Sequence, residues 1–76
     1  MRRSIKAFIS PGETHYVAEC LEIGVVTQGK TIDETIANLQ EAVALFLSGE
    51  DPAEYGLAPV PSLMITIEVE PLANVG

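Results

Sequence analysis

The sequence has few of the residues from which disulfides, metal centres and catalytic sites are built. Cys20 is the only cysteine and His15 the only histidine among its 76 residues. One cysteine cannot form a disulfide within the chain, and one cysteine with one histidine cannot complete a zinc site in a single copy. Neither kind of site is therefore expected, and no cofactor is predicted.

Basic residues are scarce as well. Four Lys and Arg oppose eleven Asp and Glu, which gives a formal net charge of −7, and Arg2, Arg3 and Lys6 all stand within the first six positions. A surface of this sign repels phosphate backbones, so direct nucleic-acid binding is not expected. The same charge suits a basic protein partner, although solubility alone would also account for it.

Long apolar runs are missing. No run approaches the roughly 20 residues that span a bilayer, and the basic start leads into an alternating pattern instead of the continuous apolar core of a signal peptide. We therefore expect a soluble protein of the cytoplasm that does not bind membranes. The length allows one domain, residues 1–76.

The hydrophobic content is high for so short a chain. Hydrophobic residues make up 47% of the sequence, whereas a chain of this size buries only roughly 60% of its unfolded surface on folding. Part of the remaining apolar surface is expected to lie against another subunit. This predicts a homo-oligomer, with a dimer and a tetramer equally compatible.

The chemically reactive side chains have ordinary interpretations. Cys20 falls where a buried strand residue is expected, which predicts a small hydrophobic core residue and not a reactive thiol. His15 stands at a hairpin end, and no carboxylate is singled out as its partner. The first predicted strand contains no acid, although two-metal hydrolysis needs acids converging from several elements. We therefore predict a protein that is not an enzyme and has no catalytic or metal-binding residue.

Alternating apolar residues predict strands in the first third of the chain. The period of two runs over residues 5–10 and again over residues 15–21, and a third short strand is predicted at 25–28. Between the first two strands, Pro11 and Gly12 predict a type II turn in which the glycine has a positive φ.

One helix is predicted over residues 32–48. Thr31 and Glu34 form a capping-box pattern, in which the threonine hydroxyl accepts from the Glu34 amide and the Glu34 carboxylate reaches back to the Thr31 amide. Gly49 stands at the C-terminal cap position. Leu45 lies outside the apolar stripe and is a candidate subunit contact, although isolated exposed leucines are common. The stripe comprises Ile32, Ile36, Leu39, Val43, Phe46 and Leu47.

Three prolines and one glycine predict a loop over residues 50–62, with Tyr55 and Leu57 folding back on the core. A final strand is predicted from Leu63, with alternation up to Val69 and a stop at Pro71, followed by frayed terminal residues. The predicted order is β-β-β-α-β. It favours an α+β fold, an antiparallel sheet with one helix packed on one face.

Residues 16–42 resemble the HicB family of antitoxins. The resemblance rests on a glycine before a short strand, a T-x-G-x-T run, an acidic helix start and the segment Ala37-Asn38-Leu39-x-Glu41-Ala42. Residues 60–62, which lead into the last strand, also resemble the family. We interpret the motif as specifying the fold, since Gly29 permits a sharp exit from the third strand and Thr31 caps the helix. Its members are Gly24, Thr27, Gly29, Thr31, Glu34, Asn38, Leu39 and Glu41.

The resemblance implies a partial, catalytically degenerate ribonuclease H-like fold that binds and inhibits a HicA-type toxin, a small basic enzyme that cleaves mRNA. The chain is similar to a short, single-domain member without the C-terminal DNA-binding domain, so operator binding is not implied. The family often has prolines near residues 20–23, where this chain has Leu21 and Ile23, and the local turn is expected to differ.

These features bear on three possible functions. The leading hypothesis is a non-catalytic, antitoxin-like module that inhibits a HicA-like toxin by direct binding. The alternative is a stand-alone, orphan oligomeric accessory protein of the same fold. A residual metal-dependent nuclease is opposed by the missing first-strand acid. The toxin-binding residues stay unassigned, because Arg2 and Arg3 with the sheet edge, or the acidic helix face, are equally compatible.

Overall fold

Four strands form a sheet with one helix against one face in the computed structural model, which describes residues 1–72. The predicted α+β class and the order β-β-β-α-β are confirmed. The predicted fraying falls on residues 73–76, which lie outside the described part of the chain. The elements are β1 (Arg2–Pro11), β2 (Tyr16–Cys20), β3 (Val25–Gly29), α1 (Ile32–Ser48), a 3-10 turn (Pro52–Tyr55) and β4 (Leu57–Ile67).

The sheet is mixed, so the expectation of a purely antiparallel sheet was wrong. Its strand order is β3-β2-β1-β4, and β2 is antiparallel to both β1 and β3, whereas β4 runs parallel to β1. Consequently β3 and β4 run in the same direction. Two strands of the same direction need a long crossover connection, and α1 with the 3-10 turn provides it across the face of the sheet.

The helix begins and ends as its sequence pattern predicts. The Thr31 hydroxyl accepts from the Glu34 amide at 3.0 Å, and the Gly49 amide bonds the Phe46 carbonyl at the other end. One half of the predicted capping box was wrong. The Glu34 carboxylate accepts from the Lys30 amide at 2.7 Å and not from the Thr31 amide. This bond links the first turn of the helix to the residue before the N-cap.

The β1–β2 connection differs from the predicted type II turn. Strand β1 continues through Pro11, which pairs with Tyr16, and leaves a four-residue loop. Gly12 does not have a positive φ, since that conformation occurs only at Gly24 and Gly56 among the described glycines. A Cβ at Gly12 would instead lie 2.7 Å from the His15 carbonyl oxygen. The glycine is therefore required by a close backbone approach.

The last strand begins earlier and ends earlier than predicted. It starts at Leu57 and includes Pro59 and Pro61, and it ends at Ile67, so neither the loop extending to residue 62 nor the stop at Pro71 is correct. Prolines are tolerated in a strand when their missing amide would face away from a neighbouring strand. β4 meets this condition because it lies at the edge of the sheet.

The core lies between the helix and one face of the sheet. Residues at alternate positions of β1 and β2 are buried, and Cys20 is among them as predicted. Phe46 packs edge-on against Tyr55 with ring centroids 5.1 Å apart, and Leu57 is fully buried, so both predicted contacts of the connection with the core are confirmed. The buried hydrophobic residues are Ile5, Ala7, Ile9, Ala18, Cys20, Ile23, Leu39, Val43 and Leu57.

Candidate protein-binding surfaces

The junction between β3 and α1 contains most of the motif that the sequence singles out. Gly24 has a φ of 66° in the turn before β3, a conformation that favours glycine. Gly29 is buried against the helix start, where a Cβ would lie 2.7 Å from the Thr35 backbone nitrogen. The sequence predicts that Gly29 permits a sharp exit from the strand, and the structure adds that its lack of a side chain lets α1 approach β3.

Asn38 and Leu39 attach the helix to the sheet. The Asn38 Nδ2 donates to the Gln28 carbonyl of β3 at 2.8 Å, while Leu39 is fully buried in the core. Thr27 and Glu41 lie on either side of a shallow groove of about 210 Å³ between β3 and α1, and Leu45 stands at the same groove. The motif is thus divided between buried packing, capping and an exposed rim.

The outer face of α1 and the turn after it carry the acidic charge. From Thr31 onward the sequence has eight Asp and Glu and no Lys, Arg or His, whereas all four basic residues precede it. Exposed side chains of α1 and the residues after it form what we call the acidic face. Its members are Asp33, Glu34, Glu41, Glu50, Asp51 and Glu54.

The acidic face is not neutralised within the chain. Arg2 and Glu22 form the only salt bridge among residues 1–72. Two acidic-face carboxylates do accept backbone hydrogen bonds, Glu34 from Lys30 and Asp51 from the Ala53 amide at 3.0 Å. Such bonds hold the carboxylates in place but leave their negative charge, so the helix side of the molecule presents a field that attracts basic partners.

The opposite face of the sheet, which we call the open sheet face, combines exposed apolar residues with charges of both signs. Phe8 is 43% exposed, Met64 58% and Leu21 81%. A broad depression of about 650 Å³ lies on this face. Its charged lining residues are Arg2, Arg3, Lys6, Glu19 and Glu22. The structure therefore separates two surfaces of different chemistry, an acidic one on the helix side and one on the sheet side that combines apolar residues with charges of both signs.

Glu22 organises the basic end of the open sheet face, and sequence reasoning did not single it out. Its carboxylate accepts the Lys6 backbone amide at 2.7 Å and pairs with the Arg2 guanidinium. The Lys6 hydrogen bond, helped by Arg2, lowers the pKa of Glu22 and outweighs its partial burial, which acts in the opposite direction. No periodicity or motif marks such a residue, because its partners are 16 and 20 positions away in the chain.

The histidine and the cysteine lie apart from both surfaces. His15 is at the end of the β1–β2 hairpin, where its Nδ1 lies 2.8 Å from the Thr14 hydroxyl. Cys20 is buried, and this burial, with the nearby charge of Glu22, raises the pKa of its thiol. Within residues 1–72 no cluster of three or more His, Cys, Asp or Glu is placed to hold a metal ion.

A further groove runs between α1 and β4. Its volume is about 380 Å³, and Val43 and Leu47 of the helix face Leu63 and Ile65 of the strand across it. The helix packs chiefly on β3 and β2, so Leu63, Ile65 and Ile67 are only half-buried although they lie on the core side of the sheet.

The described residues include no helix long and apolar enough to cross a membrane. No protein-family model matches this chain, and neither a curated protein nor a solved structure matches it significantly.

Proposed function

We propose that this chain is a non-catalytic protein-binding module that inhibits a small basic ribonuclease toxin of the HicA type by direct binding. Two independent observations support the proposal. The first is the resemblance of residues 16–42 to the HicB antitoxins. The second, which carries the proposal, is the acidic face. Because such a toxin cleaves mRNA, the proposed site of action is the cytoplasm.

The acidic face has the properties that a basic partner requires. Its carboxylates extend from the first turn of α1, at Asp33, to Glu54 after the helix, and they are exposed. Long-range attraction between surfaces of opposite charge speeds association and favours one partner orientation. Ala37, Ala44 and Leu45 lie on the same outer helix face, and Leu45 is 67% exposed. They supply apolar contact area among the charges, which a stable interface needs as well.

The finer fold proposed is the partial ribonuclease H-like one. The strand order β3-β2-β1-β4, with an antiparallel meander followed by a helical crossover to a parallel strand, supports it. On this view α1 is the crossover helix of the scaffold, and its outer face is the surface left free for a partner. Function then resides in the surface of the scaffold and not in its topology.

The test is co-purification of this chain with the small basic protein encoded beside its gene, combined with rescue of growth when that protein is induced. Glu41→Lys is expected to weaken the complex, because Glu41 lies in the middle of the acidic face. Glu13→Lys is the matched control, since Glu13 is exposed in the hairpin loop and the change in net charge is the same. If both variants weaken the complex equally, net charge alone is responsible. If neither variant weakens it, the acidic face is not the interface.

The second candidate function is an orphan oligomeric accessory protein of the same fold. The exposed apolar residues of the open sheet face, Phe8, Leu21 and Met64, favour it, because such a patch is typical of a surface covered by another molecule. If no neighbouring basic protein exists, or none binds or is neutralised, this candidate replaces the first.

A further inference from the structure

Strand β4 has a free edge along its second half. The Glu68 amide, directly after the strand, donates to the Ile9 carbonyl of β1 at 2.8 Å. Backbone groups alternate in direction along a strand, so the amides and carbonyls of Leu63, Ile65 and Ile67 point away from β1. Within residues 1–72 no other strand pairs with β4 on that side. Three consecutive pairing positions are therefore open.

The first half of the same edge is closed by proline. Pro61 lies in the irregular segment where the register of β4 against β1 shifts between Arg2 and Ser4, directly before the regularly paired run, and it has no amide to offer a further strand. Pro59 stands two residues earlier. Prolines and charges are the usual means of blocking an edge strand. Here they leave Leu63, Ile65 and Ile67 unprotected, and the whole of β4 contains no charged residue.

The other edge of the sheet is better protected. Strand β3 is only five residues long, and the Asn38 side chain donates to its Gln28 carbonyl at 2.8 Å. The helix also packs chiefly on this side of the sheet. Any further strand pairing is therefore expected at β4.

We propose that β4 pairs antiparallel with β4 of a second copy of this chain, about a two-fold axis at Ile65, so that the two sheets join into one of eight strands. In this register Ile65 faces Ile65 and Leu63 faces Ile67, and all of these positions have outward-pointing amides and carbonyls. Each is therefore a hydrogen-bonded pair of the antiparallel pattern. The surface is self-complementary, as a two-fold interface requires.

A second copy suits this edge because the open positions of β4 match themselves under two-fold symmetry and carry no charge. Two chains that each carry a charge of −7 repel one another, and the uncharged β4 is where they can approach with least repulsion. The register also places Glu68 of each copy opposite Ser62 of the other, and the Ser62 hydroxyl contacts the Arg3 carbonyl at 3.4 Å. The acid thus comes to the end of the sheet where Arg3 and Lys6 lie.

The groove between α1 and β4 supports the same occupant. Leu63 and Ile65 are half-buried beside Val43 and Leu47, and the helix leaves their outer sides uncovered. In the joined sheet the corresponding residues of both copies lie next to each other between the two helices. Their apolar surface is then removed from water, which is the main favourable contribution to protein association.

The test compares Leu63→Pro with Leu63→Ala by analytical ultracentrifugation of the purified chain. The molar mass measured for the wild type is expected to be twice the 8.1 kDa of one chain. Both variants remove the leucine side chain, but only the proline removes the outward amide, and it leaves the bonds to β1 intact. Since symmetry removes two interchain hydrogen bonds, the dissociation constant of Leu63→Pro should exceed that of Leu63→Ala by about tenfold or more. A monomeric wild type, or equal constants for the two variants, would overturn the proposal.

Hydrogen exchange of the wild type provides a second measurement that does not depend on a variant folding. The amides of Leu63, Ile65 and Ile67 should become protected as protein concentration rises, while the Gln28 amide of β3 should not change. Protection that appears at β3 instead, or at no β4 amide, would contradict the assignment. Glu68→Lys should also weaken the dimer, whereas Glu41→Lys, with the same charge change on the β3 side of the helix, should not.

The dimer inference is independent of the proposed function, because every measurement uses this chain alone. A dimer that binds no basic protein would support the proposed β4 interface and reject the proposed binding of a toxin. A monomer whose β4 amides become protected only when the basic protein is added would reject the second copy and assign the edge to that partner.

Discussion

The Glu22 carboxylate accepts the backbone amide of Lys6 at 2.7 Å and so extends the pairing of β1 beyond the end of β2. The register of the two strands places Lys6 just past Cys20, where β2 stops and no backbone carbonyl follows in line. A side chain from the β2–β3 turn takes over the role of the missing strand residue. Arg2 binds the same carboxylate and holds it in position.

Glu22→Gln is expected to lower the free energy of unfolding by about 1 kcal/mol at neutral pH, because it removes the charge from this hydrogen bond and from the ion pair. The glutamine keeps an oxygen that can accept the Lys6 amide. Thermal unfolding followed by circular dichroism would measure the difference between the two proteins.

The same pair of proteins tests the pH dependence. The pKa of Glu22 is lower in the folded chain than its ordinary value, chiefly because of the Lys6 hydrogen bond. A carboxyl group of this kind stabilises the fold fully above its unfolded pKa, about 4.3 for glutamate, and the stabilisation is lost as the pH falls through the folded pKa. The difference in free energy of unfolding between wild type and Glu22→Gln should therefore shrink as the pH falls below the unfolded pKa and through the folded one. A difference that is constant from neutral to acidic pH would contradict this role.

Gly29→Ala is expected to destabilise the protein by about 2 kcal/mol or more, since the new Cβ would overlap backbone atoms that cannot move independently. It would lie 2.7 Å from the nitrogen and 2.9 Å from the Cα of Thr35. Gly49→Ala is the matched control, because the nearest atom to its Cβ is 4.0 Å away and its φ of −104° suits alanine. Chemical denaturation of both variants measures the effect, and similar midpoints would show that α1 shifts without cost.

Asn38→Ala should cost about 1 kcal/mol, the ordinary value of one hydrogen bond, because it removes the donor to the Gln28 carbonyl. Gln40→Ala serves as the control, since Gln40 is exposed on the same helix and its side chain forms no hydrogen bond within the described residues. Hydrogen exchange would show whether β3 opens more often in Asn38→Ala. An unchanged β3 would mean that helix packing alone protects this edge.

Cys20 should react slowly with a soluble thiol reagent in the folded protein. Its side chain is 1% exposed, and burial raises the pKa of the thiol, which lowers the fraction of reactive thiolate. Labelling should accelerate as denaturant unfolds the chain, in step with the loss of circular dichroism. Labelling of the native protein as fast as that of the unfolded chain would show that β2 opens readily.

The local elements were predictable because their causes are local. The helix over residues 32–48 follows from apolar spacing, from Thr31 at its start and from Gly49 at its end, all within one short segment. The faces of β1 and β2 follow from alternation, which depends only on neighbouring positions. The buried state of Cys20 follows in turn from its place on that alternating face.

The motif residues show where local reasoning becomes incomplete. Thr31 caps the helix by accepting the Glu34 amide as its position indicates, but the Glu34 carboxylate accepts the Lys30 amide and not the Thr31 amide. Gly12 and Gly29 are recognisable as glycines that the chain requires. The atoms that exclude a Cβ at each, the His15 carbonyl and the Thr35 backbone, become apparent only when the elements are packed together.

The direction and place of β4 depend on the whole chain. Its residues are equally suited to pair on either side of the sheet, so its alternation predicts a strand without predicting a neighbour. The length of α1 and the following turn carries the chain back past β2 to the far side of β1, where a parallel strand results. Periodicity and capping therefore specify the pieces of this protein, whereas contacts between distant residues determine the mixed sheet, the position of Glu22 and the open edge of β4.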